Sequence, residues 1–110
     1  MSGTSDVDPP TVVALVDDLM DRSKVSAALE VVTFVRDIAA CTAADVVIVD
    51  LAKHARAIEP LRNAAPNARI VAFGSHVDAA AFDTATLDGA DHVLTRSRFF
   101  HDPAAAIAAR

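Results

Sequence analysis

Apolar runs rich in β-branched residues recur along this chain of 110 residues, and they constrain its fold more than any other feature. Four of the runs are nearly continuous rather than alternating, which is typical of strands buried on both faces of a parallel sheet. A weaker fifth run follows later in the chain. The runs are TVVALV at 11–16, VVTFV at 31–35, DVVIVD at 45–50, RIVAF at 69–73 and HVLT at 92–95. The sequence therefore predicts five strands of a parallel sheet.

Helical patterns separate these runs. Residues 78–88 begin with Asp78, a good N-cap residue, and stop before Gly89, a good residue for the position after a helix. Residues 19–29 place small and apolar side chains close to one helical stripe. That stripe consists of Leu19, Met20, Ser23, Val25, Ala27, Ala28 and Leu29. The sequence therefore predicts a helix at 19–29 and a helix with clear ends at 78–88.

The remaining helical segments are less regular. Asp102 and Pro103 suit the N-cap and the first position of a last helix. In residues 53–67, Pro60 either starts the helix or kinks it. Residues 37–45 leave room for only one or two helical turns. The order β-α-β-α-β-α-β-α-β still predicts a doubly wound α/β fold with right-handed crossovers.

Composition excludes several classes of function. The net charge of −5 argues against a nucleic-acid-binding surface, which would be basic. No apolar stretch reaches the roughly 20 residues that a membrane span needs, and three glycines leave no glycine-rich phosphate loop. The single cysteine, Cys41, excludes an intrachain disulfide and fits the reducing cytoplasm. We expect residues 1–10 to form a flexible tail and residues 11–110 to form one domain in the cytoplasm.

Acidic residues follow the first and third predicted strands. Asp17 and Asp18 come directly after the first strand, and Asp50 closes the third. In a sheet of order 2-1-3-4-5 these strands are neighbours, so the three carboxylates converge at the edge where open α/β sheets bind ligands. Clustered carboxylates are tolerable around a hard cation such as Mg²⁺. The alternative is that Asp18 simply caps the helix that follows it.

Several motifs in the right order resemble the response-regulator receiver domains of bacterial two-component signalling. They are ALVDD, VVIVDL and HVDAAAFDTATLDGADHVLTR, and the resemblance covers nearly the whole chain from residue 11 onward. It implies the flavodoxin-like (CheY-like) sheet of order 2-1-3-4-5. It also implies that Asp50 accepts a phosphoryl group from a sensor histidine kinase or a phosphotransfer protein. Mg²⁺ would be held by Asp17, Asp18, Asp50 and the carbonyl of Ala52.

The chain departs from the receiver pattern at the residues that transmit the signal. Gly74 stands where receivers have Thr or Ser, and Ser75 is the nearest hydroxyl. Arg96 replaces a Lys and would lie over the acidic pocket as a counter-charge. Ser97 takes the place of a proline, and Val93 takes the place of an aromatic residue. The resemblance therefore implies an atypical switch.

The segments for the first and second helices are also short, and apolar sheet surface left open there would favour a homodimer. The leading hypothesis is a stand-alone receiver-like domain, not an enzyme, that acts by contacting a downstream protein. A second hypothesis is a pseudo-receiver that is never phosphorylated, in which Arg96 pairs with Asp50 and replaces the metal. A third is a small phosphatase with an aspartyl nucleophile, which would need a substrate cap.

Overall fold

A computed structural model describes residues 10–108 of the chain, and these form a five-stranded parallel sheet of order β2-β1-β3-β4-β5. The predicted flavodoxin-like order 2-1-3-4-5 is therefore confirmed. The tail predicted over residues 1–10 lies outside the described residues except for Pro10. The strands are β1 (Val12–Leu15), β2 (Thr33–Phe34), β3 (Val46–Asp50), β4 (Arg69–Gly74) and β5 (His92–Thr95).

Within residues 10–108, six α-helical segments follow or separate the strands. They are α1 (Leu19–Ala28), α2 (Leu51–His54), α3 (Ile58–Ala64), α4 (Ala79–Asp88), α5 (Arg96–His101) and α6 (Pro103–Ala108). Short 3₁₀ turns occupy Ile38–Cys41 and Ala55–Ala57. None of the helices among the described residues is long and apolar enough to cross a membrane.

Most of the predicted helix ends are confirmed. Asp78 caps α4 by accepting a hydrogen bond from the Ala81 N–H at 3.1 Å, and Gly89 ends that helix at a φ of 120°. Asp102 accepts from the Ala105 N–H at 3.1 Å at the start of α6. Pro60 lies in the first turn of α3, where its missing N–H costs little, so the helix starts near it rather than kinking there.

Two expectations about the elements were wrong in detail, and one helix was not predicted. β2 pairs only through Thr33 and Phe34, because the chain is still turning away from α1 over the residues before it. Of the stripe predicted on α1, only Val25 and Leu29 are buried. Leu19 and Met20 are exposed by 78% and 71%, and the remaining members, Ser23, Ala27 and Ala28, are exposed as well. The helix α5 was not predicted; it follows β5 without a loop, and Thr95 caps it by accepting a hydrogen bond from the Arg98 N–H.

Two hydrophobic cores lie on opposite faces of the sheet. One is packed by α1, α5 and α6 and centres on Val25, Phe73 and Phe99. The other is packed by α3, α4 and the 3₁₀ turn at Ile38–Cys41, and it includes Cys41 and Ile58. Between β2 and β3 the described chain has only this turn, Ile38–Cys41, which fits the predicted lack of room for a second helix. Both faces of the central strands are therefore buried, as the continuous apolar runs indicated.

Arg62 ties together two turns at the amino edge of the sheet. Its Nε and Nη2 donate to the carbonyl of Gly89 at 3.0 and 2.9 Å, and Nη2 also donates to Asp91 Oδ2 at 2.5 Å. Its Nη1 donates to the carbonyls of Pro66 and Ala68 at 3.0 and 2.8 Å. The turns that precede β4 and β5 are thus held by one guanidinium.

Candidate functional site

The strands that carry the predicted acids are neighbours in the sheet. β1 pairs with β3 in parallel register from Val12 with Val46 to Leu15 with Val49. The acids that follow β1 and the acid that ends β3 therefore emerge at the same carboxyl edge. The predicted adjacency of the first and third strands is confirmed.

Asp50 is a buried carboxylate at the end of a central strand. It is only 3% exposed, and its Oδ1 accepts a hydrogen bond from the Ala52 N–H at 3.0 Å. Burial raises the pKa of Asp50 above its ordinary value, while the Ala52 N–H and the positive charge of Arg96 oppose that rise. Asp50 is therefore a desolvated acid with an incomplete set of partners.

Asp17 and Asp18 point to different partners. Asp18 caps α1 by accepting a hydrogen bond from the Asp21 N–H at 3.0 Å, so the capping role considered for it is real. Asp17 Oδ1 lies 3.1 Å from Nε2 of His54, which reaches it from α2. Within residues 10–108, no three His, Cys, Asp or Glu side chains are grouped closely enough to hold a metal.

Arg96, the expected counter-charge, is bound by an acid that sequence reasoning missed. Its Nη2 donates to Asp21 Oδ1 at 2.6 Å, and the Asp21 side chain is only 5% exposed. This hydrogen bond raises the pKa of Arg96, and burial opposes the rise. The negative charges of Asp21, Asp50 and Asp18 raise the pKa further. The second hypothesis paired Arg96 with Asp50, whereas the hydrogen bond in the structure is to Asp21.

The sequence did contain a signal for Asp21. Asp21 lies four residues before Val25, so the two share one face of α1, and Val25 is fully buried there. An acid on a buried helical face needs a cation or hydrogen-bond donors. The periodicity of α1 alone therefore could have pointed to a buried ion pair.

The guanidinium of Arg96 also lies against aromatic rings. Its Cζ is 5.4 Å from the centroid of Phe73 and 5.2 Å from that of Phe100. Phe99 stacks on Phe73 with centroids 4.8 Å apart, and Phe100 meets both rings edge-on. Of the two adjacent phenylalanines, Phe99 is thus core and Phe100 is partly buried beneath the arginine.

The hydroxyl expected near Asp50 is displaced along the chain. A Cβ at Gly74 would come within 3.2 Å of Phe82 and 3.3 Å of Leu51, so no larger side chain fits there without movement. Ser75 is exposed, and its Oγ accepts only a long bond of 3.4 Å from the Val77 N–H. Ser75 and Ala52 nevertheless line the same small cavity of about 80 Å³.

A larger open cavity of about 400 Å³ adjoins the exposed acid of the site. It is lined by Asp17, Leu19, Arg22, Arg36 and His54. Its cationic and protonatable groups would attract an anion. The carboxyl edge thus combines a buried carboxylate, a bound guanidinium and an accessible cavity with basic side chains.

Solved structures show the same fold, although no family model and no curated protein matches the sequence. The signal receiver domain of the putative response regulator NarL from Mycobacterium tuberculosis superposes with a TM-score of 0.76 at 21% identity, over 93% of this chain and 95% of that one. A receiver domain protein from Clostridium thermocellum gives 0.76 at 18% identity, over 91% and 92%. A response regulator from Burkholderia pseudomallei, solved with a phosphorylated aspartic acid, calcium ion and citrate, gives 0.76 at 21% identity, over 90% of this chain and 66% of that one. The chain therefore has the fold of response-regulator receiver domains.

Proposed function

We propose that this chain is a receiver-like signalling domain of a two-component phosphorelay, acting in the cytoplasm, with Asp50 as its phospho-acceptor. The observation that carries the proposal is the position of Asp50, buried at the end of β3, beside the acids that follow β1 and within the charge field of Arg96. The receiver fold adds support, and the Burkholderia protein of that fold has been solved with a phosphorylated aspartic acid.

The proposed chemistry is transfer of a phosphoryl group from a phosphohistidine of a sensor kinase or phosphotransfer protein. A carboxylate oxygen of Asp50 attacks phosphorus, the P–N bond breaks, and its electron pair returns to the imidazole of the donor. The product is an acyl phosphate, which water cleaves to restore the carboxylate and release inorganic phosphate. Burial of Asp50 favours the step because a desolvated carboxylate has lost part of the hydration that shields it.

The donor types at this edge suit a divalent cation, although the acidic side chains within residues 10–108 would have to move closer together to hold one. Carboxylate and carbonyl oxygens are the ligands that Mg²⁺ prefers, and Asp17, Asp18, Asp50 and the carbonyl of Ala52 would supply them. To bind the metal, Asp17 would give up its contact with His54. When bound, Mg²⁺ would offset the repulsion between the carboxylate of Asp50 and the anionic phosphoryl group.

The basic cavity beside Asp17 supports the approach of an anionic donor, because Arg22, Arg36 and His54 line it. Arg96 and Ser75 are the side chains proposed to act on the phosphoryl group, and the exposed hydroxyl of Ser75 would have to move toward it. The state of Asp50 would then be read by contact with a downstream protein or a second copy of the chain.

A pseudo-receiver that works without phosphorylation is the second candidate. It is favoured by the hydrogen bond that already occupies Arg96 and by the crowding that keeps a hydroxyl away from position 74. In this case the acidic edge would be a fixed structural feature, and the domain would act through binding alone.

Intact-mass measurement after incubation with acetyl phosphate and Mg²⁺ separates the two candidates. We expect wild type to gain one phosphoryl group, Asp50→Asn to gain none, and Asp83→Asn, an exposed acid on α4, to behave as wild type. No gain in any of the three proteins at millimolar Mg²⁺ would refute the phosphorelay proposal and support the pseudo-receiver. Steady turnover of a phosphomonoester would instead identify a phosphatase.

A further inference from the structure

The starting observation is that the carboxyl edge contains two buried acids rather than one. Asp21 and Asp50 are the only charged residues classed as buried within residues 10–108, with exposures of 4% and 3%. They lie on different elements, α1 and β3, and both act electrostatically on the same cation, Arg96. Arg96 forms its hydrogen bond with Asp21.

The guanidinium of Arg96 lies against β4, the strand next to the one that Asp50 ends. It lies over Phe73, and Phe73 is the residue of β4 that pairs in register with Asp50. Phe100 supports it from α5. A planar cation can slide across aromatic faces while keeping contact with them. A shift of Arg96 from Asp21 toward Asp50 would keep its guanidinium against these rings.

Phosphorylation changes which acid is the stronger partner. The Arg96–Asp21 contact uses a single nitrogen, Nη2. A phosphoryl group carries about −1.5 to −2 charges and three acceptor oxygens, and arginine binds phosphate through two parallel hydrogen bonds. A modified Asp50 would thus outcompete Asp21 for Arg96.

We propose that Asp21 is a positioning residue that holds Arg96 away from Asp50 until Asp50 is phosphorylated. This inference rests on the proposed function. Arg96 is the first residue of α5 and Asp21 lies in α1, so their hydrogen bond ties these two helices together. Transfer of Arg96 to the phosphoryl group breaks that tie. The partner exchange replaces the hydroxyl that position 74 has no room to supply.

The test uses the full chain with beryllofluoride and Mg²⁺, a stable mimic of the phosphoryl group on an aspartate. In wild type, the side-chain NMR signals of Arg96 should shift when the adduct forms. Asp21→Asn removes the charge that competes for Arg96 and keeps the side-chain size, so it should bind beryllofluoride about threefold to tenfold more tightly than wild type. Asp83→Asn, the matched exposed acid, should bind as wild type does.

The outcomes are distinct. Structural damage by Asp21→Asn would weaken binding, so tighter binding supports the positioning role. An adduct in wild type that leaves the Arg96 signals unchanged overturns the inference and preserves the proposed function, whether or not the variant folds. If a folded Asp21→Asn variant binds beryllofluoride with the same affinity as wild type, the inference is likewise overturned and the proposed function is preserved. Absence of any adduct in wild type overturns the proposed function and the inference together.

Discussion

Replacement of Asp50 by asparagine should stabilise the protein at neutral pH. Asp50 is 3% exposed and has one hydrogen bond in the structure, from the Ala52 N–H at 3.0 Å. Asparagine keeps an oxygen for that bond and removes the charge. Burial of a polar group without full compensation costs about 1–3 kcal/mol, and the charge of Arg96 offsets part of this, so we expect a gain of about 1 kcal/mol in the free energy of unfolding. That gain corresponds to a rise of about 4 °C in Tm for a domain of this size.

The pH dependence of this gain has a definite sign. Burial raises the pKa of Asp50 in the folded protein above its unfolded value, which is near 3.8. In the folded state Asp50 therefore keeps its proton to higher pH than in the unfolded state. As a result, wild type loses stability as the pH rises from the unfolded pKa through the folded pKa. The asparagine variant does not titrate at this position. Its advantage over wild type should be small near pH 4 and complete at pH 7.

Urea unfolding followed by far-UV circular dichroism, in EDTA to remove divalent cations, is the appropriate assay because the chain has no Trp or Tyr. Asp83→Asn is the matched control and should change the free energy of unfolding by less than about 0.5 kcal/mol. A variant that is less stable than wild type at pH 7, or that gains equally at pH 4 and pH 7, would refute the argument that the buried charge is costly.

Two further substitutions test the fold around the site by the same unfolding assay. Gly89→Ala should destabilise the protein by about 1–3 kcal/mol, because φ is 120° and a Cβ would lie 2.8 Å from Cγ of Arg62; a loss below about 0.5 kcal/mol would contradict this. Phe99→Ala should cost about 3–5 kcal/mol, since Phe99 is fully buried and stacks on Phe73; Phe99→Leu, which keeps most of the volume, should cost clearly less.

The order and ends of the central elements were predictable because they depend on local patterns. The run HVLT matches β5 residue for residue, and Asp78 and Gly89 mark the ends of α4. The placement of Asp17, Asp18 and Asp50 after neighbouring strands followed from strand order. In each case nearby residues or topology carried the information.

Features that depend on tertiary contact were not predictable in the same way. Asp21 and Arg96 are 75 residues apart, and their pairing depends on how the start of α5 meets α1. The segment RSRFFH has no strong helical pattern and becomes α5 because Phe99 is drawn under the sheet against Phe73. Asp17 likewise meets His54 only because α2 follows β3 without a loop.

The hydrogen bonds of Arg62 make the amino edge of the sheet unlike the carboxyl edge. At the amino edge, opposite Asp50, Arg62 connects the turns that precede β4 and β5 by donating to the carbonyls of Gly89, Pro66 and Ala68. At the carboxyl edge, Arg96 is held by one hydrogen bond to Asp21, which it donates through Nη2. If Arg96 leaves Asp21 for a phosphorylated Asp50 as proposed, we expect the movement at α1 and α5 and not at the turns that Arg62 holds.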